Sequence, residues 1–97
     1  MTPQTASRVH ILVRGRVQGV GFRAFVQHSG ALLGLTGWVC NVGYDQVETV
    51  AEGSQPVLEK FIETVKSGPR ASRVDESRVD WEQATGEFDS FEVRYSR

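Results

Sequence analysis

The hydrophobic positions change their period several times along the chain, and each change marks a new element. Apolar and polar side chains alternate from residue 8 to residue 14, which is typical of a β-strand. Three glycines then fall within residues 15–21, which indicates a loop. Beyond it, apolar residues recur at steps of three and four as far as Gly34, which predicts a helix with one buried stripe. That stripe contains Phe22, Phe25, Val26, Ser29, Leu32 and Leu33.

The middle of the chain predicts a hairpin followed by a second helix. Residues 36–42 and 46–52 are two short strand-like segments separated by a connection of hairpin length. Pro56 then stands where the first turn of a helix accepts proline, and Gly68 marks the end of that helix. The apolar stripe of this second helix contains Leu58, Phe61, Ile62 and Val65.

Two more extended segments follow, at residues 74–82 and 88–95. The order is therefore strand, helix, strand, strand, helix, strand and a further C-terminal strand. This order predicts an α+β protein with the ferredoxin-like βαββαβ sandwich, in which two helices cover one face of an antiparallel sheet that has an extra C-terminal strand. Residues 1–7 are expected to form a loose tail, and residues 8–97 a single domain.

Length and composition exclude several classes of protein. With 97 residues, of which 39% are hydrophobic and 24% charged, the chain fits one small folded domain. No apolar run approaches the roughly 18 residues of a membrane span. The single cysteine, Cys40, excludes an internal disulfide and a zinc site built on cysteine pairs, and it agrees with a reducing compartment. We therefore expect a cytoplasmic monomer with no membrane partner.

The net charge of −1 is unevenly distributed. Residues 1–44 contain four arginines and no acid, and residues 45–97 contain all twelve acids and seven bases. Four arginines in the first half of the chain favour a small anion as ligand over a nucleic acid, because nucleic-acid binders usually spread more positive charge over one face. Glu48 and Glu52, interpreted as solvated strand charges, would repel an RNA backbone. We therefore expect no nucleic-acid partner.

The glycine loop is the strongest candidate for chemistry. Residues 19–24, Gly-Val-Gly-Phe-Arg-Ala, match a dinucleotide-binding fingerprint, but the chain is too short for the doubly wound sheet that this motif serves. A P-loop is excluded because no Gly-Lys-Ser/Thr follows. Both motifs share one physical property that this loop retains: backbone N–H groups of a glycine turn and of a helix N-terminus can converge on an anion.

Arg23 adds to the case for an anion. No Ser, Thr, Asp or Asn lies at residues 19–23 to cap the helix, so its first N–H groups need water or a ligand. Arg23 in the first turn opposes the helix dipole, whereas a bound dianion would make that placement favourable. The alternative is a flexible glycine loop with a solvated Arg23.

From these residues the chain resembles the acylphosphatase family. The ungapped segment from Gly15 to Arg23 carries most of the resemblance, and later segments extend it over about residues 8–95. Those later matches are Phe25, residues 33–35 and 37–39, Asn41, residues 47–48, Gly53 and residues 91–95. Two positions depart from the family pattern: Cys40 stands where arginine is common, and residues 43–45 lack the usual Asp-Gly pair.

The resemblance implies an enzyme that hydrolyses the carboxyl–phosphate bond of small acyl phosphates to a carboxylate and inorganic phosphate. It implies no metal, no other cofactor and no covalent enzyme intermediate. Arg23 is implied as the catalytic, phosphate-binding arginine, and Asn41 as the residue that positions the attacking water. The loop implied to hold the phosphate through its backbone comprises Gly15, Arg16, Val17, Gln18, Gly19, Val20 and Gly21.

Two other functions stay open at this point. The domain could handle carbamoyl phosphate, as acylphosphatase-like modules of hydrogenase maturation proteins do, or it could bind phosphate without catalysis. His10 is expected on the open sheet face, and Cys40 on the face opposite Asn41 because neighbouring strand residues point to opposite faces. Neither is therefore interpreted as a catalytic group.

Overall fold

The computed structural model describes residues 6–95, and its elements follow the predicted order. They are β1 (Ser7–Arg16), α1 (Phe22–Leu32), β2 (Thr36–Val42), β3 (Gln46–Gly53), α2 (Gln55–Ser67), β4 (Arg73–Gln83) and β5 (Phe91–Val93). Ser7, which was expected in the tail, is the first residue of β1, and residues 1–5 lie outside the described residues. No helix within residues 6–95 has the length and apolar composition needed to cross a membrane.

The five strands form one sheet in the order β4-β1-β3-β2-β5. The ferredoxin-like fold is confirmed: β1 pairs antiparallel with both β3 and β4, and β2 pairs antiparallel with β3. The extra strand is the exception, since β5 pairs in parallel with β2. The connection over residues 84–90 donates hydrogen bonds to the Glu52 carboxylate of β3, and its Ser90 carbonyl accepts one from the Gly37 N–H of β2. It therefore crosses the sheet at the end where β2 begins. For that reason β5 starts beside the start of β2 and runs in the same direction.

Both helices lie on one face of the sheet, and the core lies between them. The predicted stripe of α2 is fully confirmed, with Leu58, Phe61, Ile62 and Val65 all buried. In α1 one position was predicted wrongly: the side chain of Leu32 is 74% exposed. The helix ends there, and the chain turns through Gly34, whose φ is +73°, so that Leu35 enters the core in its place.

The charges of β3 were also predicted wrongly. Glu48 and Glu52 are each only 5% exposed, because β3 is the central strand and residues of its neighbours and of the following connection contact both side chains. Glu48 contacts His10 and lies 4.0 Å from the sulfur of Cys40. His10 and Cys40 thus occupy the sheet face opposite the helices, as predicted, and Glu52 is covered by the connection that leads to β5.

Candidate functional site

A cavity of ≈ 240 Å³ opens between the β1–α1 loop, the first turn of α1, the end of β2 and the C-terminal segment. Its lining residues are Val17, Gln18, Gly19, Gly21, Phe22, Arg23, Ala24, Asn41, Val93 and Tyr95. Arg23 is the one charged residue in this set. The cavity is below the size of about 300–1,000 Å³ that is usual for drug-sized ligands, so it suits a small anion.

Two glycines give the loop its shape. Gly19 and Gly21 have φ angles of +73° and +76°, a conformation that other residues rarely adopt, and added Cβ atoms would meet nothing within 4 Å. The requirement at these positions is therefore backbone conformation rather than space. Gly21 is the N-cap of α1 and provides no side-chain cap, as the sequence predicted. The N–H groups of residues 22–24 precede the first helical bond, which joins the Phe25 N–H to the Gly21 carbonyl.

Gln18 fastens this loop to the neighbouring hairpin. Its Nε2 donates to the carbonyl oxygens of Val42, Gly43 and Gln46 at 3.3, 3.1 and 2.9 Å. These carbonyls belong to the end of the β2–β3 hairpin that follows Asn41, so the same side chain joins the two parts of the site. The position of the loop relative to β2 is thus fixed by hydrogen bonds.

The residues of the predicted phosphate loop fall into two groups. Gly15 and Arg16 belong to β1 and pair with Val74 and Arg73 of β4, and the Gly15 N–H donates to the carbonyl of Asp45 at 2.9 Å. The remaining five follow the strand: Val17, Gln18, Gly19 and Gly21 line the cavity, and Val20 packs against the core. The loop is therefore two residues shorter than predicted.

Arg23 points its charge to the cavity without an acidic partner. Within residues 6–95 no carboxylate forms an ion pair with its guanidinium. Its Cζ instead lies 5.4 Å from the centre of the Tyr95 ring. A guanidinium in this position keeps its donors available for an anion.

Asn41 stands at the cavity wall near the end of β2. Its Oδ1 is buried and has no hydrogen-bond partner among the described residues. A buried acceptor left unpaired costs about 1–3 kcal/mol, so this oxygen is suited to accept a hydrogen bond from a molecule in the cavity. Cys40, the preceding residue, does not line the cavity.

Four of the lining residues were not predicted as part of the site, namely Phe22, Ala24, Val93 and Tyr95. Val93 and Tyr95 come from the C-terminal segment, more than 50 residues beyond Asn41. The available signal was the alternation of Phe91, Val93 and Tyr95, since alternate residues of a strand share one face. It could not predict that this segment would pair with β2 beside the loop.

Comparisons with known proteins agree with this geometry. The family model described as acylphosphatase matches residues 9–93. A curated acylphosphatase from Salinibacter ruber is 45% identical over 94 residues, covering 97% of this chain and 99% of that protein. The crystal structure of acylphosphatase from Bacillus subtilis is 39% identical with a TM-score of 0.87, covering 92% of this chain and 99% of that one.

A crystal structure of full-length HypF in a phosphate- and nucleotide-bound form is 31% identical with a TM-score of 0.83. It covers 99% of this chain but only 12% of its own. The match of the family model to most of the chain and the identity to curated relatives confirm the resemblance that the loop suggested. The chain belongs to the acylphosphatase family.

Proposed function

We propose that residues 17–24 hold the phosphoryl group of a small acyl phosphate while Asn41 directs a water molecule in line at phosphorus. That the protein is an enzyme which hydrolyses acyl phosphates follows from its family. The roles of the individual residues are the proposal. The observation that carries it is that the Arg23 guanidinium, the uncapped turn of α1 and the amide of Asn41 border one cavity.

Holding the phosphoryl group requires positive charge and donors in fixed positions. The start of α1 carries a partial positive charge and the free N–H groups of residues 22–24, and Arg23 adds a fork that matches two phosphate oxygens. Gly15 and Arg16, whose backbones pair within the sheet, are assigned to anchoring the loop. Binding to residues 17–24 would leave phosphorus facing Asn41 across the cavity.

The hydrolytic step needs little acid–base help. The oxygen of water bonds to phosphorus, the bond from phosphorus to the acyl oxygen breaks, and the carboxylate leaves with that electron pair. A proton of the water passes to the phosphate or to solvent. Asn41 Oδ1 accepts one water hydrogen and so aims the water lone pair, a role that depends on no protonation state. Catalysis then consists of positioning and of stabilising the charge on the transferring group.

The test is hydrolysis of benzoyl phosphate by Arg23→Ala and Asn41→Ala. Each should lose at least about 3 kcal/mol of transition-state stabilisation, more than a hundredfold in kcat/KM. Arg70→Ala, which removes an exposed arginine outside the cavity lining, should retain wild-type activity. Near-normal turnover by a folded Arg23→Ala or Asn41→Ala protein would remove that residue from the mechanism.

Carbamoyl phosphate, which the sequence left open, is the second candidate substrate, because it would present the same phosphoryl group to residues 17–24. Purified protein should therefore be compared on acetyl, benzoyl and carbamoyl phosphate. The proposal expects acetyl and benzoyl phosphate to be hydrolysed at rates at least equal to that of carbamoyl phosphate. A strong preference for carbamoyl phosphate would assign the domain to the second candidate.

We also propose that the enzyme acts as a cytoplasmic monomer without nucleic-acid or membrane partners. The one cysteine, Cys40, is buried and has no second cysteine in the sequence to form an internal disulfide with, which suits a reducing compartment. Among the exposed large apolar or aromatic side chains, Leu32, Tyr44 and Trp81 lie on three different elements or turns, and Val93 and Tyr95 line the cavity assigned to the substrate. Size-exclusion chromatography coupled to light scattering should give a mass near 10.8 kDa, that of one chain.

A further inference from the structure

We propose that Val93 and Tyr95 form the subsite for the acyl group, so that their side chains favour aromatic acyl phosphates over small ones. The proposal rests on the placement of the phosphoryl group at Arg23 given above. It concerns selectivity between substrates and adds no step to the hydrolysis.

The cavity has two chemically different sides. The loop and the first turn of α1 contribute backbone groups and Arg23, whereas the C-terminal segment contributes the side chains of Val93 and Tyr95. These two are 37% and 84% exposed, although they are large and apolar or aromatic. Two such exposed side chains on the wall of one cavity indicate a surface that a ligand covers.

The distance between Tyr95 and Arg23 relates this surface to the substrate. The ring centre of Tyr95 lies 5.4 Å from the Arg23 Cζ, so the ring is next to the group assigned to the phosphoryl oxygens. In an acyl phosphate the substituent on the carbonyl carbon begins three bonds from phosphorus. A phosphoryl group at Arg23 therefore places the acyl substituent within reach of the Tyr95 ring and the Val93 side chain.

The C-terminal segment is held firmly enough to act as a binding surface. Val93 pairs with Val39 of β2, and the Arg94 N–H donates to the Val39 carbonyl at 2.8 Å. Phe91, two residues earlier, is 6% exposed and belongs to the core. The segment is thus fixed on both sides of Val93 before a substrate arrives, which lowers the entropy lost on binding.

A flat acyl group gains more from this surface than a methyl group does. The face of a benzoyl ring can pack against the Tyr95 ring and the methyl groups of Val93, whereas an acetyl group has too little area for such contact. Aromatic contacts of this kind change binding by about twofold to tenfold, and the apolar area that the ring covers adds to this effect. The ratio of kcat/KM for benzoyl phosphate to that for acetyl phosphate is the quantity that should respond.

The experiment measures this ratio in the full chain for wild type, Tyr95→Ala and Tyr95→Phe. Tyr95→Ala should lower the ratio about fivefold to tenfold, mainly by raising KM for benzoyl phosphate, and Tyr95→Phe should keep it because the ring face remains. Tyr44→Ala is the matched control, since that tyrosine is 86% exposed on the β2–β3 turn and does not line the cavity. It should leave the ratio and both rates at wild-type values.

Inhibition by inorganic phosphate separates the possible outcomes. An inhibition constant changed less than twofold in Tyr95→Ala, with a lowered ratio, supports the acyl subsite. An unchanged ratio in Tyr95→Ala overturns the proposal. If the ratio is unchanged because kcat/KM falls equally for both substrates, and phosphate also inhibits more weakly, Tyr95 acts only through Arg23. Failure of the proposed mechanism appears elsewhere, as near-normal turnover by Arg23→Ala, whatever the ratio in the Tyr95 variants.

Discussion

The carboxylate of Glu52 shows how one residue fixes a distant segment of the chain. Its oxygens accept hydrogen bonds from the N–H groups of Thr85 and Gly86 at 2.9 and 3.0 Å, and Arg8 donates to it at 3.2 Å. Burial alone would raise the pKa of Glu52, but these hydrogen bonds prevail and lower it below its usual value. The charged form of Glu52 therefore stabilises the connection that leads to β5.

Replacing Glu52 with glutamine should destabilise the protein most at neutral pH. A carboxylate whose pKa is lowered by folding contributes stability above its unfolded pKa of about 4.3, and that stability is lost as pH falls through the folded value. Glu52→Gln should therefore reduce the free energy of unfolding by about 1–3 kcal/mol at neutral pH. The difference in free energy of unfolding between Glu52→Gln and wild type should shrink as the pH falls below the unfolded pKa. Urea denaturation at several pH values between neutral and acid measures this difference.

The matched control for this prediction is Glu63→Gln, which changes an exposed glutamate on α2. It should shift the free energy of unfolding by less than about 0.5 kcal/mol at any of these pH values. A Glu52→Gln protein as stable as wild type at neutral pH would contradict the role assigned to this carboxylate.

At the scale of elements, the contact between α1 and β5 requires a glycine in the last turn of α1. A Cβ atom at Gly30 would lie 2.5 Å from Cδ2 of the Phe91 ring. That ring is buried and packs against Phe61, with the ring centres 5.7 Å apart, so it has little room to move. Gly30 therefore sets how closely α1 can approach the strand that carries Val93.

Gly30→Ala should destabilise the protein by about 1–3 kcal/mol in chemical denaturation, because the added methyl group overpacks the contact with Phe91. This expected loss of stability is opposite in sign to the effect of helix propensity, which in a helix interior favours alanine over glycine by about 1 kcal/mol. The exposed neighbour provides the comparison: Ala31→Gly, near the end of α1, should cost less than about 1 kcal/mol through propensity alone. A more stable Gly30→Ala protein would mean that β5 yields readily to the helix.

The elements that the sequence predicted well are those whose pattern is local. The α2 stripe and its proline and glycine boundaries need no information beyond some fifteen residues, and α1, the loop and Arg23 follow from a continuous segment. Glu48 and Glu52 were predicted wrongly because alternation does not reveal that a strand is central, with neighbours and a connection over its polar face. Val93 and Tyr95 were missed for the same reason, since β5 meets β2 only through long-range pairing.

At the scale of the whole molecule, one core joins nearly all the elements. Its buried cluster draws side chains from β1, β2, β3, β5 and both helices. The strand β4 is the exception: it lies at an edge, contributes the partly buried Val74 and Val79, and is otherwise held by its ladder with β1. The two tryptophans lie near opposite edges, Trp38 in β2 and Trp81 in β4.

This arrangement predicts that the sheet unfolds as one cooperative unit, including its edge. The ladder with β1 runs from Ser7 to Arg16, the full length of that strand, so β4 cannot separate without exposing β1, an inner strand that contributes to the core. In urea, the fluorescence of Trp81→Phe reports on β2 and that of Trp38→Phe reports on β4. Each fluorescence transition should coincide with the far-ultraviolet circular dichroism of the same variant, which serves as its internal control. A Trp81 signal that changes at lower urea than the circular dichroism would mean that β4 detaches first and that the core ends at β1.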